Sequence, residues 1–160
     1  MQTIRLGAHE LGEYMQAHSI AGEILHLGVP TPTVEAAAQA LGATTAQIIK
    51  SILFMVDGRP VLVIACGKST ISQRAIADLF GVGKKRVKLA SPEMVHELSG
   101  YEVGAMPPFG HYQPLTTLMD TKVLDLSEAY AGGGAENALV RLNPQEILRA
   151  TGAKILDLLE

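Results

Sequence analysis

Ile52-Leu53-Phe54-Met55-Val56-Asp57-Gly58-Arg59-Pro60-Val61-Leu62-Val63-Ile64-Ala65 reads as two apolar runs joined by a short turn. Asp-Gly between such runs is a strong hairpin signal, because both residues tolerate the positive φ that a tight two-residue loop needs. Neither run alternates with polar residues. Both strands therefore belong at the centre of a sheet covered on both faces, not at a solvated edge.

Working upstream, Thr44-Thr45-Ala46-Gln47 has the spacing of a capping box and opens a short helix that leads into Lys50. Val34, Ala37, Ala38 and Leu41 fall at helical spacing and are stopped by Gly42. A strand is expected over 23–27 and a helix over 7–19, where Leu11, Tyr14, Met15 and His18 share a face. Downstream, Ile76, Leu79 and Phe80 give a helix ending at Gly81, and 86–90 is a short strand. Ser91-Pro92 sets an N-cap before a proline at the first helical position, with Gly100 closing that helix. Residues 115–120 and 123–126 read as extended, and Gly132-Gly133-Gly134 breaks the chain before a strand over 137–142. Asn143-Pro144-Gln145-Glu146 opens a helix ending near Gly152, and 155–158 makes a last strand. Helices and strands alternate irregularly, hairpins included. The fold class is mixed α/β, of α+β type, and not a regular doubly wound sheet.

The 160 residues fit a single domain, 1–160, large enough for a real core. With 48% apolar and 18% charged residues, the chain is built to bury a partly β interior and not to stay disordered. Aromatic residues make up 4% and Trp is absent, which argues against a broad base-stacking platform. The net charge of -3 excludes bulk attraction to a phosphate backbone, so any nucleic-acid contact must be local. Cys66 is the one cysteine and lies within an apolar run, which fits a reducing compartment. Met1 to Leu6 lacks the apolar core of a secretory leader, and no apolar stretch approaches the ~18 residues of a membrane span. A soluble, cytoplasmic protein with no membrane partner is expected.

Two features carry chemistry. Lys50 is a lone cation at the start of an apolar strand, where an ammonium is costly unless an anion or carbonyl meets it. The second is Gly100-Tyr101-Glu102-Val103-Gly104-Ala105-Met106-Pro107-Pro108-Phe109-Gly110-His111. Its adjacent prolines stiffen the loop and its glycines open the backbone to close approach. The bland alternatives stand beside these readings: a strand-edge lysine reaching for water, a partly exposed loop histidine at His111, a plain turn at the triple glycine. Lys84, Lys85, Arg86 and Lys88 form the one basic cluster, either a solvated turn or a phosphate contact. Gly67-Lys68-Ser69-Thr70 imitates the end of a phosphate-binding loop but lacks its upstream glycine. His9, His18, His26, His96 and His111 are scattered without ligand spacing, so no metal site is expected.

Taken together and in order, these segments resemble the YbaK/prolyl-tRNA-synthetase-associated editing-domain family. The resemblance is carried by the Ala-rich helix, Ile48-Ile49-Lys50-Ser51-Ile52-Leu53-Phe54, the apolar hairpin, Ala90-Ser91-Pro92-Glu93, Gly100-Tyr101, Gly104-x-x-x-Pro108-x-Gly110, Asp120 and Gly133-Gly134. It runs from about Val34 to the C-terminus. It implies a compact, barrel-like domain with a mixed, largely antiparallel sheet surrounded by helices. It implies hydrolysis of mischarged aminoacyl-tRNA, with no metal or organic cofactor. Lys50, Gly104 and Pro108 inherit the catalytic roles, and Ala105, Met106, Gly110, His111, Asp120, Gly133 and Gly134 the substrate contacts. Pro107 and Asn137 depart from the family pattern, which leaves the amino acid open among small ones such as Ala, Cys or Ser.

The physics agrees with that implication. An aminoacyl ester is already activated, so a placed water and donors for the developing oxyanion suffice, and the N–H groups of Gly104, Ala105 and Met106 are candidates. The reading is a freestanding deacylase acting in trans on the acceptor end of a mischarged tRNA, tRNA-Pro first among carriers, with a synthetase as a possible partner. A noncatalytic aminoacyl- or nucleotide-binding module that senses ligand or docks on a synthetase is the rival. A thiol hydrolase using Cys66 ranks last, since a buried strand thiol is usually inert.

Overall fold

The computed structural model describes residues 4–160; residues 1–3, part of the N-terminal stretch read above for a leader, lie outside the described residues. Two sheets carry the chain. The larger is built on the hairpin: β2 (Ile49–Val56) and β3 (Arg59–Cys66) pair antiparallel along their whole length, from Ile49 opposite Cys66 to Val56 opposite Arg59. Asp57 and Gly58 make the turn at φ +50° and +83°, the left-handed pair that matches the twist of the strands. β4 (Val87–Leu89) lies antiparallel on the outer side of β2, while β5 (Thr116–Asp120) and β8 (Lys154–Leu156) run parallel beyond β3, giving the order β4-β2-β3-β5-β8.

The smaller sheet is β1 (Glu23–His26), β7 (Ala138–Leu142) and β6 (Ala129–Gly132), antiparallel throughout in the order β1-β7-β6. A parallel bridge from Ile48 to Tyr130 joins the two sheets just ahead of β2. Four of the six strand pairings (β2 with β3 and β4, β7 with β1 and β6) are antiparallel. The fold is therefore the mixed, largely antiparallel α/β architecture expected of the sequence.

Among the described residues five α-helices cover these sheets: α1 (Ala8–Ala17), α2 (Val34–Leu41), α3 (Gln73–Phe80), α4 (Pro92–Ser99) and α5 (Pro144–Thr151). Thr33, Ser72, Ser91 and Asn143 cap four of them with side-chain acceptors, and Gly42, Gly81, Gly100 and Gly152 end the same four in the left-handed region. β3 is buried on both faces. Leu62 and Ile64 pack with Leu11, Tyr101, Phe109, Met119 and Ile147; Val61 and Val63 pack with Ile76, Ala77, Leu118 and Leu158. Its unbroken apolar run thus reflects two cores meeting at one strand. A third cluster of Ala37, Ala38, Ile48, Tyr130 and Leu139 sits between α2 and the smaller sheet.

The structure differs from the sequence reading in three places. Residues 123–126, expected as extended, belong instead to a 3-10 helix over Thr121–Asp125. Asp120 Oδ2 accepts the Lys122 N–H and starts that turn, a local side-chain bond that overrides the apolar pair Val123-Leu124. β6 has no counterpart in the reading, because Ala-Tyr-Ala-Gly carries little strand propensity and its pairing comes from β7. The strand expected over 86–90 is shortened to Val87–Leu89, its first part taken by a 3-10 turn over Lys84–Arg86.

Asp120 holds the segment just past β8 in place. It is buried, and its Oδ1 accepts the Leu158 N–H at 2.8 Å while Oδ2 takes Lys122. Asp120→Ala strips the acceptor from two backbone donors, one of them buried, and should cost roughly 2–4 kcal/mol in urea unfolding.

Candidate functional site

The cleft is a consequence of where β2 lacks a neighbour. Ile48 bridges to Tyr130, and β4 begins its pairing only at Phe54, so the intervening edge of β2 faces no strand. Ile49, Lys50, Ser51, Ile52 and Leu53 all line a cavity of about 300 Å³ there. Residues 31–34 and Ala37 of α2 form one wall; Leu89, Ala90, Pro92 and Val95 form another. Val103, Gly104 and Met106 close a third side, with Gly132 and Leu139 behind. Leu89 and Val103, at 64% and 57% exposure, leave an apolar lip at the mouth. Among the described lining residues there is no carboxylate and no imidazole.

Lys50 is half-buried on β2, and its Nζ donates to the Ser69 carbonyl at 2.5 Å. That carbonyl belongs to the turn over 67–70 that follows β3, whose Gly67 N–H continues the ladder to Ile48 O. Lys68 of the same turn pairs with Glu35 of α2 at 2.9 Å. The phosphate-loop lookalike is thus a turn that holds Lys50 and the edge of α2, and α3 starts only after its own cap at Ser72. Burial pushes the Lys50 ammonium below the ordinary lysine value, with the Cys66 thiol opposing that shift. Two ammonium protons remain for a ligand.

The Gly104–Pro108 loop lies across the cleft and is pinned from behind. Gly104 sits at φ +86° with open space where a Cβ would be, so the glycine answers a backbone requirement and not a steric one. The Ala105 N–H turns back to Glu102 O and is occupied; among the described residues the N–H groups of Gly104 and Met106 have no protein acceptor. Of the three N–H groups expected to serve as donors, these two remain available. Gly134 N–H donates to Ala105 O at 2.9 Å, and the Met106 carbonyl packs so tightly on Gly132 that a Cβ there would stand 2.1 Å from it. Gly133 also meets backbone too closely for a side chain, its Cβ falling 2.5 Å from the Ala138 carbonyl carbon. Each glycine of the triple admits a different stretch of the protein's own backbone: Gly132 the loop, Gly133 β7 and Gly134 the start of α1.

Other residues singled out in the sequence stand around this frame. Pro108, at the end of the loop, is buried and is not among the residues that line the cleft. His111 donates from Nε2 to the Pro107 carbonyl at 2.8 Å, which fixes its proton on that nitrogen when the ring is neutral, and its ring meets Tyr101 edge-on. Gly110 lies against the Tyr14 ring of α1, and with His111 it lines a separate cavity with Phe109, Gln113 and Thr151. Asp120 is engaged at the far side of β5, as above. Lys84 and Lys85 are exposed, Arg86 pairs with Asp57 at 2.9 Å, and Lys88 is exposed on β4 next to the cleft residue Leu89. Cys66 faces the main core opposite Ile49, its thiol pushed up by burial.

Two parts of the site escaped the sequence reading. Thr31 and Thr33 enter the wall through a loop that has no motif of its own. Ser51 lines the cleft with a buried Oγ that has no hydrogen-bond partner among the described residues. Its one signal is a lone hydroxyl among Ile49, Ile52 and Leu53.

Comparison with known proteins finds relatives of the whole fold. Residues 29–150 match the model of the aminoacyl-tRNA editing domain. The uncharacterised protein YwhH of Bacillus subtilis is 25% identical over 134 residues, 83% of each chain. The proline–tRNA ligase of Streptococcus equi subsp. zooepidemicus is 30% identical over 129 residues, which are 80% of this chain and 21% of the ligase, so the chain spans about a fifth of that relative. A crystal structure described as a candidate trans-editing enzyme for prolyl tRNA synthetase superposes with a TM-score of 0.88 at 34% identity, covering 96% of both chains.

Two consequences can be measured. Gly132→Ala forces the loop off its seat and is expected to lose roughly 1–3 kcal/mol or more in urea unfolding. Gly104→Ala meets only the left-handed strain of about 1–2 kcal/mol. For His111, burial lowers the native value below the ordinary ~6.5, with the Pro107 bond opposing. The unfolded chain therefore takes the proton first as pH falls, and stability is lost from about pH 6.5 down through the native value. The advantage of wild type over His111→Gln in thermal melts should shrink between about pH 7.5 and pH 5.

Proposed function

This chain belongs to the aminoacyl-tRNA editing domain family, and from that membership we propose that it is a cytoplasmic deacylase that cuts the ester of a mischarged tRNA in trans. The acyl group is a small one, of the size of Ala, Cys or Ser, and tRNA-Pro is the carrier. The observation that carries this reading is that Lys50, Gly104 and Met106 line one small, largely apolar cleft, and that among the described residues the N–H groups of the two loop residues have no protein acceptor. The similarity along nearly its full length to a candidate trans-editing enzyme supports action in trans.

In the proposed mechanism the acyl group enters the cleft and the terminal ribose stays at its mouth. The ester carbonyl lies against the Gly104–Met106 backbone, whose unpaired N–H groups receive the charge that develops on oxygen when water adds. Lys50 keeps one proton on Ser69 and turns the others toward the ribose or the carbonyl, a positioning and electrostatic role. No side-chain base lines the cleft among the described residues, and an activated ester does not demand one if water is held in place. Collapse of the adduct breaks the bond to the ribose oxygen, releasing the amino acid and intact tRNA. The rigid seat on Gly132 and Gly134 keeps the two N–H groups aimed before substrate arrives. The exposed cations Lys84, Lys85 and Lys88, reached past Leu89, are the proposed contacts for acceptor-stem phosphates.

Deacylation of alanyl-, cysteinyl-, seryl- and prolyl-tRNA-Pro at substoichiometric protein tests this. Multiple turnover on at least one small-residue ester is expected, with Lys50→Ala slowed by roughly 100-fold or more. Full activity in Lys50→Ala refutes the role given to that ammonium. Stoichiometric protection of the ester without turnover would instead identify a binding module.

A further inference from the structure

Resting on the deacylase reading, we propose that Ser51 selects the acyl group: its hydroxyl pairs with one neutral hydrogen-bonding atom on the amino-acid side chain, so hydroxyl- or thiol-bearing esters are preferred over alanyl ester. Four polar side chains line the cleft: Thr31, Thr33, Lys50 and Ser51. Three are already engaged. Thr31 donates to Glu136 O at 3.3 Å, Thr33 accepts from the Ala36 N–H at 3.0 Å, and Lys50 donates to Ser69 O. The Ser51 Oγ alone is buried without a partner among the described residues.

That position is an unfavourable one for a serine. Ser51 sits between Ile49 and Leu53, both of which face the main core beside Val95 and Met106. An unpaired hydroxyl there is destabilising relative to alanine, and a ligand atom that pairs with it recovers the loss. Successive side chains on a strand point to opposite faces, so the Ser51 hydroxyl and the Lys50 ammonium lie on opposite faces of β2. The cation is thereby directed at Ser69, while Ile49, Leu53, Val95 and Met106 on the serine's side line the cleft, so a turn about χ1 brings the buried hydroxyl to the apolar space where an acyl side chain fits.

The occupant is neutral. A substrate ammonium in this wall would find a single uncharged acceptor, far too little to offset its desolvation. A hydroxyl or thiol needs just one partner, and the serine hydroxyl can rotate among its staggered positions to donate or accept. An alanyl group leaves the Ser51 Oγ unpaired, which is the source of discrimination.

Seryl-, cysteinyl- and alanyl-tRNA-Pro are compared as kcat/KM ratios with wild type and Ser51→Ala, because a ratio taken on one preparation cancels any difference in folded fraction. Wild type is expected to favour the seryl over the alanyl ester by roughly tenfold, and Ser51→Ala to bring that ratio close to one. A wild-type ratio near one, or a ratio unchanged by Ser51→Ala, overturns the proposal. Calorimetric titration with non-hydrolysable seryl and alanyl amides of 3′-amino-3′-deoxyadenosine separates it from the reading beneath. If no ester turns over, the deacylase reading fails, yet a seryl preference in binding that disappears in Ser51→Ala still supports Ser51 as the selector. Equal affinities in wild type overturn it.

Discussion

Everything at the site depends on a stretch of β2 left open between two pairings, one just ahead of the strand and one at its far end. Ile48, the residue before β2, is bridged to Tyr130 of the smaller sheet, and Phe54 to Val56 are paired with β4. Between them the strand has one neighbour, β3, and an open edge on the other side. An unpaired edge is ordinarily a liability, since it presents a row of free backbone groups to any passing strand. Here α2, the start of α4 and the Gly104–Pro108 loop wall it off and convert it into a cleft. The central position of the hairpin makes this tolerable, because β3 is packed on both faces and cannot shift to relieve the gap.

The loop that closes the cleft owes its rigidity to backbone contacts. Two prolines restrict it, but they do not place it. Placement comes from Gly134 donating to Ala105, from the Met106 carbonyl seated on Gly132, and from His111 donating to Pro107. The Tyr14 and Phe109 rings, stacked at 5.9 Å, brace the same loop from α1. These restraints fix Gly104 and Met106 in the wall of the cleft, and among the described residues neither N–H has a protein acceptor. Preorganised, unpaired donors in a small apolar space are what stabilisation of an oxyanion requires.

Lys50 and Ser51 show how one strand delivers two chemistries. Both are energetically unfavourable where they stand: the ammonium is partly desolvated and the hydroxyl is orphaned. A carbonyl of the turn after β3 meets the first, and none of the described residues meets the second. Adjacent residues on a pleated strand face apart, so the two groups act on different portions of a ligand without competing for the same space.

Much of the fold was legible in the sequence. The hairpin, the Ser91-Pro92 helix start and the helix-ending glycines are governed by local dihedral preferences and by side-chain to backbone bonds a few residues apart, and each appears as read. The Lys50 and Gly104 segments were also recognisable as a pair, from the family resemblance. What neighbours along the chain could not reveal was which distant backbone each would meet. That Gly132 serves the Met106 carbonyl, that Asp120 holds Leu158, and that His111 supports the loop from outside the cleft are contacts between residues far apart in sequence. The same holds for Ser51, whose hydroxyl is orphaned only because three other elements bury it. Sequence by itself determined the elements and the two motifs, because those follow from short-range sterics and hydrogen bonding. Tertiary structure alone decided the cleft, because an unpaired strand edge exists only once every strand has chosen its neighbours.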